Sequence, residues 1–321
     1  MVEIELKFQI SETRRTALLK ALDPKKSETI QLQAKYFDTP DRLLAQHGAA
    51  LRQRLEGTRW IQTLKAAGKS HLHRFEHNHN LGELESSPEL DLSIYEAIPE
   101  AQQILTQALG ADVAALKLTF ETDIQRTYRV IQFEDAEIEV CLDVGVVRAS
   151  GREQTIHEVE FELKSGSVQS LLAFSFEWVK KYQLWLDVRS KAEMGNLLAL
   201  EQTVSPARFE KEFVLSKKES AAHNLSLLIG QQMQHLLPNI AAISAGVAEQ
   251  SHIDQAQTAL EHLQLTLALF KDWNSNISDK WAMQLAAFKH QFDHLQHLQH
   301  MQSTLGAFLQ NPTTTENLAK D

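Results

Sequence analysis

One cysteine, Cys141, stands in the 321 residues, so no disulfide can close within the chain. No apolar run of signal-peptide or membrane-spanning length opens the sequence, which begins instead with alternating charge. A reducing cytoplasm is the compartment these two absences favour. Positive charge is also scarce, with Lys and Arg totalling 32 against 42 Asp and Glu, a formal net charge of −10. Broad contact with nucleic acid or an anionic membrane needs a basic excess, so neither partner is expected, and only a local basic pocket is left open. Long low-complexity segments and internal repeats are missing too. A chain of this length exceeds what one hydrophobic core usually serves, and two domains are expected.

From Val2 to about Leu163 charged residues alternate with apolar or β-branched ones in segment after segment, the period of strands with two unlike faces. The alternation predicts strands at 2–10, 29–37, 49–56, 59–66, 71–80, 118–132, 136–145 and 155–164. Apolar spacing of three and four predicts helices at 12–22, with Ser11 as N-cap, and at 99–109 and 168–182. The fold class is therefore α+β on antiparallel strands. Thr203, Ser205 and Pro206 read as a linker, and from Lys217 onward the pattern is helical. Leu225, Leu228, Ile229, Met233, Leu236 and Leu237 share one helical face, and Leu260, Leu263, Leu267 and Phe270 another. The expected division is 1–202 as a β-rich domain, 203–215 as linker and 216–321 as a small all-α domain.

Side chains two apart on a strand share a face, which groups Glu3, Glu5 and Lys7, then Arg52 with Arg54, Thr63 with Lys65, Arg74 with Glu76, and Glu139 with Asp143 around Cys141. Any one such face is ordinarily the wet side of a sheet. Glu158, Glu160 and Glu162 depart from that pattern, because they concentrate one sign on one face and repel one another. A divalent cation would relieve the repulsion. Closing the sheet would then set an acidic wall against a basic one. An oligophosphate clamped by Lys and Arg, with Mg²⁺ or Mn²⁺ held on carboxylates, fits both walls.

These residues resemble the CYTH superfamily, the triphosphate tunnel metalloenzymes. Val2–Phe8 resembles its E-x-E-x-K signature, Tyr36–Asp41 its Y-Y-D-T-P-D segment, Leu51–Arg54 its L-R-x-R strand and Thr63–Lys65 its T-x-K strand. The Glu158–Glu162 strand resembles its E-x-E strand, and Ser190–Lys191 its late S-K pair. The resemblance implies an eight-stranded antiparallel β-tunnel with charged residues inside and helices outside. Within the superfamily the layout is most similar to bacterial inorganic triphosphatases, in which a helical CHAD domain follows the tunnel.

By that resemblance Glu3, Glu5, Asp143, Glu158, Glu160 and Glu162 are candidate metal ligands for Mg²⁺ or Mn²⁺. Lys7, Arg52, Arg54, Lys65, Arg74, Arg126 and Lys191 are candidate phosphate contacts, and Lys7, Glu5 and Arg54 candidate catalytic residues, Lys7 orienting the attacking water. The implied reaction is hydrolysis of inorganic triphosphate to pyrophosphate and phosphate. Alternatives are another triphosphate (thiamine triphosphate, a nucleoside triphosphate, an adenylyl cyclase reaction) or a non-catalytic binding module.

Two departures qualify the match. Where relatives often carry an arginine after the S-K pair this chain has Met194, with Arg189 nearby as a substitute. In the stretch Ile253–Phe270 the positions that are basic in CHAD helices read Asp254, Gln257, Glu261, His262 and Gln264. The domain is thus expected to be a degenerate CHAD-like one, with polyphosphate binding disfavoured and a homo-oligomer through its leucine face as one role. His71, His73, His77 and His79, and His290, His294, His297 and His300, have chelating spacings but no accompanying Cys or acidic pattern, and read as polar faces. Trp178 and Trp185 read as core or domain-contact residues and Cys141 as a small buried thiol.

Overall fold

The structure, a computed structural model, describes residues 2–70, 73–110, 115–272, 279–290, 292–294 and 301, the side chains of 2, 3, 68–70, 73 and 74 excepted. Two compact units divide between Ser205 and Pro206.

The first unit is a nine-stranded antiparallel sheet: β1 Val2–Gln9, β2 Glu28–Asp38, β3 Ala49–Glu56, β4 Arg59–Ser70, β5 His73–Glu83, β6 Lys117–Phe133, β7 Ala136–Ala149, β8 Arg152–Ser165 and β9 Trp185–Leu186. Its order is β5-β4-β3-β2-β6-β7-β8-β1-β9, and an additional β5–β1 pairing closes it. The closure follows from β1, whose residues Val2 to Ile4 pair with β5 while Glu5 to Gln9 pair with β8. Eight strands thus form the ring, and the two-residue β9 lies alongside Phe8 and Gln9 of β1. All eight predicted strands are present. β9 is an addition that alternation cannot reveal, because two residues carry no period.

Residues directly opposite across neighbouring strands point to the same side of a sheet. Lys7 faces Glu160, which faces Cys141, so the charged faces lie on one side of the ring, the inner one. The apolar alternates Phe8, Leu142, Val159 and Phe161 pack outward against Leu18 of α1 (Glu12–Ala21) and Leu171 and Phe174 of α4 (Val168–Tyr182). Trp178 joins this layer, its ring 5.1 Å from that of Phe174. α3 (Pro99–Leu109) covers Leu51 and Leu64 with Ala101, Leu105 and Ala108. Ser11 is the N-cap of α1 as expected, although its hydroxyl meets Thr13 Oγ1 at 3.1 Å rather than a backbone N–H. The β7–β8 hairpin turns on Ser150 and Gly151, both with positive φ (51° and 74°), the backbone of a type I′ turn.

Two helices were not predicted: the single turn α2 (Leu43–Gln46) and α5 (Lys191–Ala199). α5 fills the inner face at one end of the ring. Its Met194 packs with Leu32, Ala34, Tyr36, Phe120, Ile124, Val147 and Ile156, all buried. The interior is therefore apolar where α5 enters and charged beyond it. Gly195 permits the approach, since a Cβ there would stand 2.1 Å from the Phe120 ring.

In the second unit α6 (Ala221–Ser244) packs on α7 (Gln250–Leu269) through Leu236, Ile253, Ala256, Leu260 and Leu263. Residues from the stretch expected as linker are fastened to α6 and α7: the Arg208 N–H donates to Asn239 Oδ1 at 3.0 Å, and Glu210 meets His262 at 2.9 Å. Asp254 and Glu261 are exposed on α7.

Gly195→Ala is expected to lower stability by about 1–3 kcal/mol, the usual cost of overpacking a filled core. A urea midpoint unchanged from that of the original chain would show that the Phe120 ring gives way freely.

Candidate functional site

The deepest inner residues form one ionic lattice. Asp143 and Glu158, cross-strand partners on β7 and β8, are both fully buried. Glu160 completes a group whose carboxylate oxygens lie within 4.8 Å of one another. Three cations answer them. Lys191 Nζ lies 2.7 Å from Asp143, 2.6 Å from Glu158 and 2.8 Å from Glu160. Arg126 donates to both Asp143 oxygens at 2.7 Å and also to Glu160. Lys7, only 6% exposed, stands 3.2 Å from Glu158.

Burial alone would raise these carboxyls, but Lys191 and then Arg126 outweigh it, holding Asp143 below and Glu160 well below the usual carboxylate range. Burial likewise works against the charge on Lys191, which Asp143, Glu158 and Glu160 nevertheless push well above the ordinary lysine value. All-oxygen donors of this kind suit a hard divalent cation.

Nearer the opposite end of β8 the charge is less evenly matched. Glu162 pairs in register with Glu5 on one side and Glu139 on the other. Burial pushes its carboxyl up, Glu139 and Glu5 add to this, and Lys164 at 3.0 Å opposes it. Strand parity alone groups Glu139 with Asp143, whereas its place beside Glu162 follows from the β7–β8 register. Cys141 is buried, its thiol pushed well up by burial and donating to Glu139 at 3.7 Å.

The basic wall comes from β3 and β4. Arg52 and Arg54 share the inner face with Thr63 and Lys65. Burial, then Arg52 and Arg126, push the Arg54 guanidinium down to about 10 against the pull of Glu56, its ion-pair partner. It stays charged at neutral pH, so this wall presents crowded cations to the interior. Tyr36 supports it from β2: the phenol accepts from Arg52 Nη1 at 3.4 Å while its ring stacks on Phe120 at 4.3 Å. Lys65 pairs with Glu76 at 2.5 Å.

Two motifs also supply helix caps. Asp38 accepts the N–H groups of Leu44 and Ala45 at 2.9 and 3.0 Å, and Thr39 accepts that of Leu43 at 3.0 Å, so Tyr36–Asp41 caps α2. Ser190 accepts the Glu193 N–H at 3.0 Å, which makes Lys191 the first residue of α5 and places its side chain at the carboxylates. Arg189, considered as a substitute phosphate contact, is held by Asp187 at 2.8 Å, and Met194 is buried in the apolar end. The side chains of Glu3 and Arg74, and those of His71, His73, His297 and His300, lie outside the described residues. His77 packs edge-on against Tyr95 at 5.9 Å on the outer face. His290 and His294 are exposed.

Residues 1–194 match the CYTH domain family model. An inorganic triphosphatase of Haemophilus influenzae is 33% identical over 227 residues, 68% of this chain, and the chain spans 62% of that relative's length. Among solved structures, HpAC1 from Hippeastrum, described with a dominant triphosphatase activity, is 18% identical with a TM-score of 0.45, covering 63% of this chain and 97% of its own. The PH1819 protein of Pyrococcus horikoshii is 15% identical with a TM-score of 0.37, over 60% and 97%. No described helix is long and apolar enough to cross a membrane.

Carboxyls depressed on folding mean that the folded state binds fewer protons than the unfolded one. Their stabilisation is present above about pH 4, the unfolded carboxylate range, and is lost as pH falls through the lower folded values. Thermal melts should therefore drop steeply on the acid side, and Asp143→Asn with Glu160→Gln should flatten that limb; an acid limb equally steep in the double variant would contradict the lattice.

Proposed function

Because the chain belongs to the CYTH domain family, we propose that it hydrolyses inorganic triphosphate to pyrophosphate and phosphate inside the ring. The observation that carries this reading is the opposition, on one inner face, of the Arg52, Arg54 and Lys65 wall to the Asp143, Glu158 and Glu160 cluster. Mg²⁺ or Mn²⁺ would be held by Asp143, Glu158 and Glu160, with Glu3, Glu5 and Glu162 as further candidates, and would supply charge neutralisation and a more acidic bound water.

The chain's own residues bind and orient. Arg52, Arg54, Lys65, Arg126 and Lys191 take the phosphate oxygens, with Arg74 as a further candidate, and fix the triphosphate along the interior. Lys7, buried beside Glu158, donates to the attacking water and aims its oxygen at the terminal phosphorus. A new P–O bond forms as the bridging P–O bond breaks, the pyrophosphate oxygen leaving on the arginine wall. The water proton leaves to solvent. Triphosphate and water thus become pyrophosphate, hydrogen phosphate and one proton. No covalent enzyme intermediate is needed, because positioning and charge neutralisation carry most of phosphoryl transfer.

Phosphate release from triphosphate with Mg²⁺ or Mn²⁺ tests the reading, with ATP and thiamine triphosphate as comparison substrates. Arg54→Ala and Glu160→Gln are each expected to lower kcat/KM by about 10²-fold or more, the scale of losing one preorganised charged contact. Wild-type rates in both would remove the assigned site.

Tyr36→Phe keeps the ring on Phe120 but deletes the acceptor for Arg52. KM should rise roughly tenfold, the scale of one charge-assisted hydrogen bond, with kcat and the melting temperature little changed. An unaltered KM would show that Arg52 needs no such support.

A further inference from the structure

The three carboxylates best arranged for a divalent cation already surround an ammonium. Lys191 Nζ lies 2.6 to 2.8 Å from one oxygen each of Asp143, Glu158 and Glu160, and donates a hydrogen bond to that of Glu160. With Lys7 and Arg126 added, three cations stand against three carboxylates, and the lattice is neutral without any metal. A free divalent ion entering it would either add two uncompensated positive charges at a buried site or displace Lys191 from all three of its carboxylates. Both are costly.

A triphosphate chain removes the difficulty, since it brings several negative charges and oxygen acceptors with the metal. The Lys191 head sits on a flexible four-carbon stem and can turn without moving α5. Its backbone is fixed by the Ser190 cap and by the packing of Met194 and Gly195. One end of the side chain is therefore anchored while the other is free to exchange partners.

We propose that Lys191 is the resident cation of this cluster, closing it to free divalent metal, and that the species admitted is a metal–triphosphate complex to whose oxygens the ammonium transfers. The identity of the anion rests on the triphosphatase reading; the closure itself does not.

The test is Mn²⁺ binding to the full chain without triphosphate, read from the electron paramagnetic resonance of free Mn²⁺. Lys191→Met should bind Mn²⁺ about tenfold tighter or more than the original chain. Lys191→Arg, which keeps the charge, should bind as weakly as the original. Equal affinity in the original chain and Lys191→Met overturns the proposal. If Lys191→Met does not fold, the original chain decides: rapid gel filtration should carry Mn²⁺ with the protein only when an imido analogue of triphosphate is included, and retention without the analogue overturns the closure. Triphosphate hydrolysis by the original chain, measured alongside, separates the two readings. Hydrolysis with unchanged Mn²⁺ affinity removes the closure alone, whereas a gain in affinity without any hydrolysis removes the functional reading alone.

Discussion

Asp143, Glu158 and Glu160 against Lys7, Arg126 and Lys191 form the interaction from which the rest of this unit can be understood. Taken out of water singly, each of these charges would cost several kcal/mol, and only mutual pairing of good geometry offsets that. The pairing in turn requires strict register. Side chains alternate sides, so a one-residue slip of β8 against β7 would carry Glu158 and Glu160 to the outer face and put Val159 and Phe161 among the charges. The outer core enforces the same register from the other side, because Val159 and Phe161 must meet Phe8, Leu171 and Phe174. Charge and packing therefore specify one alignment together. The closure of β1 on β5 completes the enclosure and leaves the ring without an open seam.

α5 links the two halves of the interior. Its first residue supplies the ammonium of the lattice, and its fourth and fifth, Met194 and Gly195, lie at the apolar end. Ser190 joins the roles, since the hydroxyl that starts the helix also sets where Lys191 begins. The S-K pair is thus one device made of a cap and a charge. Tyr36 has a comparable double position on β2, its ring in the apolar end and its hydroxyl under Arg52.

Much of this was legible in alternation. The eight ring strands, their charged faces and the grouping of Arg52 with Arg54 and of Glu158 with Glu160 follow from a period of two, which is a local property. What alternation does not carry is which faces meet. Lys191 reaches Glu160 across 31 positions and Asp143 lies further still, and no local pattern separates a lysine that binds phosphate from one that neutralises carboxylates. α2 is a single turn and α5 spans nine residues, too short to establish a helical period beside the strong strand signal. The Tyr36–Asp41 segment carries the family resemblance, and its Asp38 and Thr39 accept backbone N–H groups of α2, a role that depends on where the helix begins and not on strand parity.

The same enclosure bears on what the basic wall can meet. Arg52, Arg54 and Lys65 lie on the inner face of a ring of eight strands, and a ring of that size has an interior only wide enough for side chains or one small ligand. A duplex cannot enter it. The net charge of the whole chain, −10, disfavours extended polyanions at long range. A short linear chain of phosphates would meet neither restriction, being narrow enough to lie between the walls and, once complexed with a divalent cation, carrying less net negative charge. The neutral lattice strengthens this selection. Its three cations and three carboxylates balance, so a ligand carrying both signs exchanges with Lys191 at a lower cost in unmatched buried charge than a bare ion of either sign.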